Sequence, residues 1–126
     1  MYSKYNSRKV YEYKDGSYSR DRHEPGREVV ATFDSTKEYQ RWRELLLLER
    51  AGKITGLKRQ VRYELIPTMR SKSGAAIRGV SYVADFIYTD SKGQFHVEDA
   101  KGMRTEVYRI KKKLMLYVKG IEIEEV

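Results

Sequence analysis

The sequence predicts an α/β fold whose core elements follow in the order helix, three strands, helix, strand. Three observations carry this prediction: capping signals begin two helical stretches, strand-like alternation fills the segment between them, and a turn sequence joins two runs rich in aromatic and β-branched residues. With 126 residues, the chain is long enough for one compact core and short for two ordinary ones. We therefore expect one domain over residues 28–126 that carries a single site.

The first helix is predicted from a capping signal that follows a short strand at residues 29–33. Ser35 and Glu38 have the spacing of a capping box, and Gly52 ends the apolar pattern. Before these elements, residues 1–27 mix tyrosines with Lys and Arg and show little apolar periodicity. We expect this segment to be a flexible basic arm, mobile or loosely docked.

The rest of the chain predicts three strands, a second helix and a final strand. These elements are Leu57–Ile66, Ser81–Thr89 and Gln94–Lys101 as strands, a helix from Thr105 to Gly120, and Ile121–Val126 as the last strand. The apolar stripe of the second helix comprises Val107, Ile110, Leu114, Tyr117 and Val118. Residues 68–79 are expected to form an exposed flexible loop.

The composition favours a nucleic-acid partner and excludes several kinds of site. Lys and Arg number 26 against 18 Asp and Glu, and a net charge of +8 favours a polyanion such as DNA. The absence of cysteine excludes disulfides, thiolate zinc sites and a catalytic cysteine. The longest apolar run, Leu45–Leu48, is far shorter than the roughly 20 residues of a spanning helix. We expect a cytoplasmic protein that does not bind membranes.

A predicted hairpin brings two acidic residues together. Residues 91–93 suit a type I turn followed by a left-handed glycine, and the register set by this loop places Asp85 opposite Asp99. Lys101 lies two residues beyond Asp99, so the strand period puts it on the same face. Two carboxylates about 5 Å apart repel each other and call for a cation between them.

The chemistry of this pair indicates a hard divalent cation. Oxygen ligands without nearby His or Cys suit Mg²⁺ or Mn²⁺. The alternative interpretation is a solvated pair of strand-end carboxylates that Lys101 bridges. His23 and His96 are assigned to neither the metal nor catalysis, because the first lies in the arm and the second on the opposite face of the strand.

Glu38 and two basic clusters have both structural and functional interpretations. Glu38 could serve only its capping box, or could point inward from the apolar side of the first helix, where it would add a metal ligand to the Asp85 and Asp99 pair or a hydrogen bond to one of its ligands. The basic residues could be solvated or could hold DNA phosphates. They are Arg109, Lys112 and Lys113 on the second helix, and Arg70, Lys72 and Arg78 in the 68–79 loop.

Asp85, followed by Asp99-Ala100-Lys101, resembles the Asp…(Asp/Glu)-x-Lys signature of the PD-(D/E)XK nuclease superfamily. The resemblance covers about residues 30–126, which look like small phage-encoded endonucleases similar to Holliday-junction resolvases. It implies an αβββαβ restriction-endonuclease-like core, a mixed sheet flanked by helices. Ala84 stands where the signature has proline.

The resemblance also implies roles for individual residues. Asp85 and Asp99 would bind Mg²⁺ with the Ala100 carbonyl, Mn²⁺ would substitute, and Lys101 would orient or activate the attacking water. Glu38 would be the glutamate that some members carry on the first helix, and Gln60 a contact at the site edge. A homodimer without a small-molecule cofactor, and products with 5′-phosphate and 3′-hydroxyl ends, are implied in the same way.

The residues and the resemblance together predict a Mg²⁺-dependent DNA endonuclease. A chain of this length has little room for a module that reads sequence, which favours recognition of DNA shape and backbone. Because small members of the superfamily include Holliday-junction resolvases, the resemblance implies selectivity for branched DNA. The first alternative is a non-catalytic, architectural DNA-binding protein, for which the charge and the arm would suffice. The second is an RNA-binding protein of the ribosomal kind, in which basic charge and aromatic residues are common and the arm could fold on contact with RNA.

Overall fold

The computed structural model describes residues 9–20, 26–101 and 104–126, and this part of the chain forms nine strands and two helices. The elements are β1 (Val10–Tyr13), β2 (Tyr18–Ser19), β3 (Val29–Phe33), α1 (Thr36–Arg50), β4 (Ile54–Ile66), β5 (Met69–Arg70), β6 (Ala76–Ile77), β7 (Val80–Asp90), β8 (Phe95–Asp99), α2 (Glu106–Lys119) and β9 (Glu124–Glu125). The chain divides into two compact units, Met1–Glu44 and Leu45–Val126. The predicted boundary at residue 28 therefore falls inside the first unit.

The first unit contains a three-stranded antiparallel sheet in the order β2-β1-β3. Its core includes Val10 and Phe33, which are fully buried, and Tyr39 of α1. The strands β1 and β2 lie in the segment expected to be a loosely docked arm, so that expectation is wrong for residues 10–13 and 18–19. The strands form because Val10 is buried in this core and a tight turn with Gly16 at φ 88° reverses the chain. Residues 1–8 and 21–25 of the predicted arm lie outside the described residues.

Helix α1 begins at the predicted capping signal. The Ser35 hydroxyl accepts a hydrogen bond from the backbone N–H of Glu38 at 3.1 Å, which satisfies one of the unpaired donors of the first turn. At the other end, Gly52 adopts the left-handed conformation with φ 74°, and its N–H donates to the Glu49 carbonyl. Both predicted ends of this helix are confirmed within two residues.

The second unit contains a four-stranded mixed sheet in the order β4-β7-β8-β9, in which only the β8–β9 pair is parallel. The order helix, three long strands, helix, strand and the α/β class are therefore confirmed, with the small β5–β6 hairpin inserted between β4 and β7. One hydrophobic cluster joins the sheet to α2, and its buried members are Leu65, Tyr82, Ala84, Val97, Met115 and Ile123. Their burial supplies the main driving force for packing α2 on the sheet.

Helix α2 has the predicted ends but not the predicted buried face. The Thr105 hydroxyl caps it by accepting from the Tyr108 N–H, and Gly120 ends it at φ 68°. Met115 is its buried residue, whereas four of the five residues of the predicted stripe are exposed: Val107, Ile110, Tyr117 and Val118. The helix has apolar residues on two sides, and the sheet covers the side that carries Met115. Neither helix of the described residues is long and apolar enough to cross a membrane.

Residues 68–79 form a short hairpin where a flexible loop was expected. Strands β5 and β6 pair in antiparallel register, and the Ser71 N–H donates to the Ala75 carbonyl at 2.9 Å across the turn. At the base of this hairpin, a Cβ atom on Gly79 would lie 2.3 Å from the carbonyl oxygen of Ile66. The two chain segments therefore approach each other too closely for any residue other than glycine at position 79.

Candidate active site

The turn between β7 and β8 sets the register that the sequence predicts. The Asp90 N–H donates to the Gln94 carbonyl at 2.8 Å, and Gly93 takes the left-handed conformation with φ 81°. From there the pairing runs without a shift to Phe86 opposite Glu98. Continued by one position, this register would place Asp85 opposite Asp99, and the charge of Asp99 acts on the pKa of Asp85. We call these two residues the acidic pair.

Asp85 is held in place by donors from two other parts of the second unit. Only 7% of its surface is exposed. Its Oδ2 accepts from the backbone N–H of Ala100 at 2.8 Å, and its Oδ1 accepts from the side-chain amide of Gln60 at 3.3 Å. Both donors are neutral, so they orient the carboxylate without cancelling its charge.

Asp99 ends β8 and is similarly enclosed, with 8% of its surface exposed. Its Oδ2 accepts from the buried Tyr82 hydroxyl at 2.7 Å, and its Oδ1 accepts from the backbone N–H of Lys101 at 2.9 Å. Burial, and then the negative charge of Asp99, raises the pKa of Tyr82 and keeps its hydroxyl protonated as a donor. Tyr82 was not among the predicted site residues.

Burial raises the pKa of Asp85, and the charge of Asp99 raises it further. The hydrogen bond from Ala100 and the positive charge of Lys101 act in the opposite direction. The two carboxylates therefore interact electrostatically in a partly desolvated place, which is unfavourable when both are ionised. Their burial contradicts the alternative interpretation of a solvated strand-end pair.

The side chain of Gln60 reaches Asp85 through a distortion of β4. Gln60 lies between the paired positions Arg59–Phe86 and Val61–Ala84, and it has a left-handed φ of 55°, the only non-glycine φ above zero in the described ranges. Such a conformation costs roughly 1–2 kcal/mol in a residue with a Cβ. The predicted contact of Gln60 with the site is present.

The alternation of β7 is interrupted at the same level. Ala84 and Ile87 are three residues apart, yet both pack in the cluster that contacts α2. In an undistorted strand they would lie on opposite faces. Strict alternation would place the side chains of Tyr82 and Asp85 on opposite faces of the sheet. The interruption explains how Tyr82 donates to Asp99 while the charge of Asp99 also acts on Asp85.

Lys101 lies just beyond the end of β8, which stops at Asp99 and not at residue 101 as predicted. Its side chain is exposed, and its charge lowers the pKa of Asp85. Its backbone N–H is one of the donors to Asp99. The structure therefore brings Lys101 to the acidic pair, and Ala100, buried between Asp99 and Lys101, joins it through its N–H.

Glu38 belongs to the first unit, where it is almost completely buried. Its Oε2 accepts from the backbone N–H of Asp34 at 3.3 Å, and its own N–H donates to Ser35. The capping role is thus confirmed, and the side chain reaches one residue further back than in the standard capping box. A contribution of Glu38 to the acidic pair stays a prediction.

The predicted basic residues occupy two surfaces of the second unit. Arg109, Lys112 and Lys113 line an open cavity of about 350 Å³ together with Leu116, Glu122 and Ile123. Arg70, Lys72 and Arg78 are exposed in and beside the β5–β6 hairpin. Lys112 also donates to Glu125 at 3.1 Å, so one of these cations is partly compensated. Contacts of both groups with DNA stay predictions.

The carboxylate oxygens of the acidic pair are ligands that suit a hard divalent cation. Mg²⁺ is commonly bound by one or two carboxylates together with waters and substrate phosphate oxygens. Within the described ranges, no group of three or more His, Asp or Glu residues is arranged to hold a metal ion. The acidic pair would supply two carboxylate ligands, and the Ala100 carbonyl and water belong to the same expected ligand set.

A buried tyrosine next to a predicted carboxylate is the signal that could have revealed Tyr82. Buried tyrosine hydroxyls need a hydrogen-bond partner, and Tyr82 and Tyr108 both meet acidic residues in this unit. Tyr108 donates to Glu125 at 2.8 Å, and burial followed by this hydrogen bond raises its pKa.

The chain belongs to the family described as a protein of unknown function, DUF1064, whose model matches residues 28–123. The match covers the whole of the second unit's long strands, both helices and the acidic pair. No curated protein and no solved structure matches the chain.

Proposed function

We propose that this protein is a Mg²⁺-dependent endonuclease that hydrolyses phosphodiester bonds in DNA, with a preference for branched structures. The observation that carries the proposal is the acidic pair. Two buried carboxylates, positioned by neutral donors and flanked by Lys101, provide oxygen ligands at one place, where a divalent cation would offset the repulsion between the two negative charges.

The surrounding residues would prepare the acidic pair for this cation. A bound Mg²⁺ would supply Lewis-acid stabilisation of the phosphate and would lower the pKa of water. Ala100 and Gln60 orient Asp85, while Tyr82 fixes Asp99. The ammonium group of Lys101 would orient the attacking water and balance negative charge that develops on the phosphate.

The basic residues would hold the DNA backbone. The net charge of +8, and the three cations around the cavity beside α2, suit phosphate contacts that do not depend on sequence. Replacing Arg109 and Lys113 together should weaken binding to all DNA and reduce the slope of log affinity against log salt by roughly 1 for each lost phosphate contact. Fluorescence anisotropy at several salt concentrations measures this slope.

The deciding experiment offers labelled linear, nicked, flap and four-way DNA to the wild-type protein in Mg²⁺ and in EDTA. Asp85→Asn should abolish cutting and keep binding, whereas the matched variant Asp90→Asn, changed on the same strand at the turn, should cut normally. Binding without any cutting in Mg²⁺ or Mn²⁺ would refute the nuclease and favour an architectural protein. Preferential competition by RNA would instead favour the RNA-binding alternative.

A further inference from the structure

The first unit contains an open groove of about 670 Å³, and neither residue of the acidic pair is among its lining residues. We call it the tyrosine groove. It is lined by Gly16, Ser17, Tyr18, Thr36, Tyr39 and Gln40, with Arg43 and Glu44 at the next turn of α1. All of these residues belong to the first unit, and the described lining comes from the β1–β2 hairpin and the first turns of α1.

An aromatic surface forms one wall of the tyrosine groove. Tyr18 is 56% exposed, and its ring centroid lies 4.7 Å from that of the buried Tyr39. Tyr39 is in turn held by Phe33 in an edge-on contact at 5.2 Å. The exposed ring of Tyr18 therefore rests on a packed aromatic support and presents its remaining surface to a ligand at little cost in conformational entropy.

The polar groups of the tyrosine groove suit a nucleotide better than an apolar ligand. Arg43 lines the groove with nearly half of its side chain exposed, and it forms an ion pair with Glu12 at 3.6 Å. Arg20 donates to the Thr36 hydroxyl at 2.6 Å, which places a second guanidinium at the rim. The exposed amide of Gln40 offers both a donor and an acceptor, as the edge of a nucleobase requires.

We propose that the tyrosine groove binds an unpaired nucleotide of the DNA substrate, with its base stacked on Tyr18 and its phosphate beside Arg20 and Arg43. An unpaired base offers a free face for stacking, whereas a base inside a duplex has both faces covered. The inference rests on the proposed function and deepens it, because it gives a physical reason for preferring branched or distorted DNA over a continuous duplex.

Two DNA duplexes that differ in a single base test this proposal. One carries a bulged thymidine and the other an abasic bulge, so both have the same interruption of the backbone and only one has a base to stack. We expect the wild-type protein in EDTA to bind the thymidine bulge about tenfold more tightly, which is within the range measured for base–aromatic stacking. Fluorescence anisotropy gives both affinities.

Three variants assign the difference to the tyrosine groove. Tyr18→Ala should make the two affinities equal, and Tyr18→Phe should preserve the difference. The matched control is Tyr117→Ala, which removes a tyrosine that is 89% exposed on α2 and should preserve the difference as well. Thermal unfolding verifies that each variant is folded.

Equal wild-type affinities for the two bulges would overturn the proposal, whether or not Tyr18→Ala folds. An equal loss of affinity for both bulges in Tyr18→Ala would also overturn it, since it would indicate a structural role for the ring. Cleavage measured in parallel separates the two hypotheses. Cleavage without base-dependent binding refutes nucleotide binding in the tyrosine groove but not the nuclease activity. Base-dependent binding without cleavage refutes the nuclease activity but not nucleotide binding in the groove.

Discussion

Two groups of carboxylates in the second unit differ in how their charge is compensated. In the first, which we call the histidine bridge, His96 contacts Asp90 through Nε2 and Glu124 through Nδ1, each at 2.7 Å. The hydrogen bond with His96 lowers the pKa of Asp90, and the same contact raises the pKa of His96. In the acidic pair, by contrast, burial raises the pKa of Asp85.

The difference lies in the source of the opposing charge. The histidine bridge contains its own titratable cation, so its carboxylates are stabilised by the fold itself. The hydrogen bonds named above for the acidic pair come from an amide, a hydroxyl and backbone N–H groups, and Lys101, an exposed residue, adds a positive charge that acts on Asp85. Carboxylates arranged in this second way gain most from a cation that binds from solution.

The largest expected effect concerns the two lysines at opposite ends of the β7–β8 hairpin. Lys101→Ala should reduce the rate of DNA cleavage by about 100-fold or more, because it removes the charge that would orient water and steady the phosphate. Lys92→Ala, in the exposed turn near the histidine bridge, should cut at the wild-type rate. Single-turnover cleavage of the preferred DNA measures the rates of both variants. Similar losses of rate in Lys101→Ala and Lys92→Ala would contradict a special role for the acidic pair as compared with the histidine bridge.

The second comparison uses two buried tyrosines that each donate to a buried carboxylate. Tyr82 donates to Asp99, and Tyr88 donates to Glu98, the residue before Asp99 on β8. Tyr82→Phe should weaken the affinity for Mg²⁺ by roughly 10- to 100-fold, as expected for a residue that orients a metal ligand. Tyr88→Phe should leave the Mg²⁺ dependence of cleavage unchanged. Mg²⁺ titrations of cleavage distinguish the two, and an unchanged Mg²⁺ requirement in Tyr82→Phe would contradict the proposed site.

The third prediction concerns stability in the absence of metal. Because the pKa of Asp85 is raised in the folded state, its contribution to stability is present below its unfolded pKa and is lost as the pH rises through the folded pKa. At neutral pH the ionised carboxylate is therefore unfavourable, and Asp85→Asn should raise the melting temperature by a few degrees in EDTA. The gain should disappear on acidification to about pH 4. A lower melting temperature of Asp85→Asn at neutral pH would contradict this account.

Added Mg²⁺ should reverse the order of the two melting temperatures, so that the wild-type protein becomes more stable than Asp85→Asn. A ligand that binds only the folded state stabilises it in proportion to the logarithm of its concentration above the dissociation constant. The wild-type melting temperature should therefore rise with Mg²⁺, while that of Asp85→Asn should change little. Asp90→Asn serves as the control, and its response to Mg²⁺ should match that of the wild-type protein.

The smallest expected effect is the pH dependence of the histidine bridge. The pKa of His96 is raised in the folded state, so its stabilising contribution is full below the unfolded pKa of about 6.5 and is lost as the pH rises through the folded value. His96→Gln should therefore lower the melting temperature more at about pH 6 than at about pH 9. Thermal unfolding at the two pH values measures this, and a loss of equal size at both would show that packing against Tyr88, not charge, is what His96 contributes.

The acidic pair could be predicted from the sequence because the turn at residues 91–93 fixes the register. The partner of each residue on the two strands then follows by counting from the turn, the observed pairs agree with this count as far as Phe86 and Glu98, and Asp85 and Asp99 come next. Tyr82 and the conformation of Gln60 could not be predicted in this way. Tyr82 lies near Asp99 because the alternation of β7 is interrupted near Asp85, and Gln60 has its unusual φ at the same level of β4. Neither strand carries a glycine or proline at that level to indicate these distortions.

The errors elsewhere have a common physical origin. Strands β1, β2, β5 and β6 are two to four residues long, which is too short for an alternation pattern to be distinguished from a loop. In α2, apolar residues occur on more than one side, and the sequence does not show which side the sheet covers. Contacts between distant parts of the chain determine whether the short segments pair as strands and which side of α2 is buried.

The contact between Gly79 and the Ile66 carbonyl makes the β5–β6 hairpin an exchangeable insert. Ile66 pairs with Val80, so the sheet closes immediately before and after the hairpin, and most residues from 67 to 78 are exposed. A different hairpin could be grafted between these two points if glycine is kept at position 79. Arg70, Lys72 and Arg78 are part of the replaced segment, so such chimaeras would change the charges on this surface. The strands that carry Asp85 and Asp99 would keep their sequence.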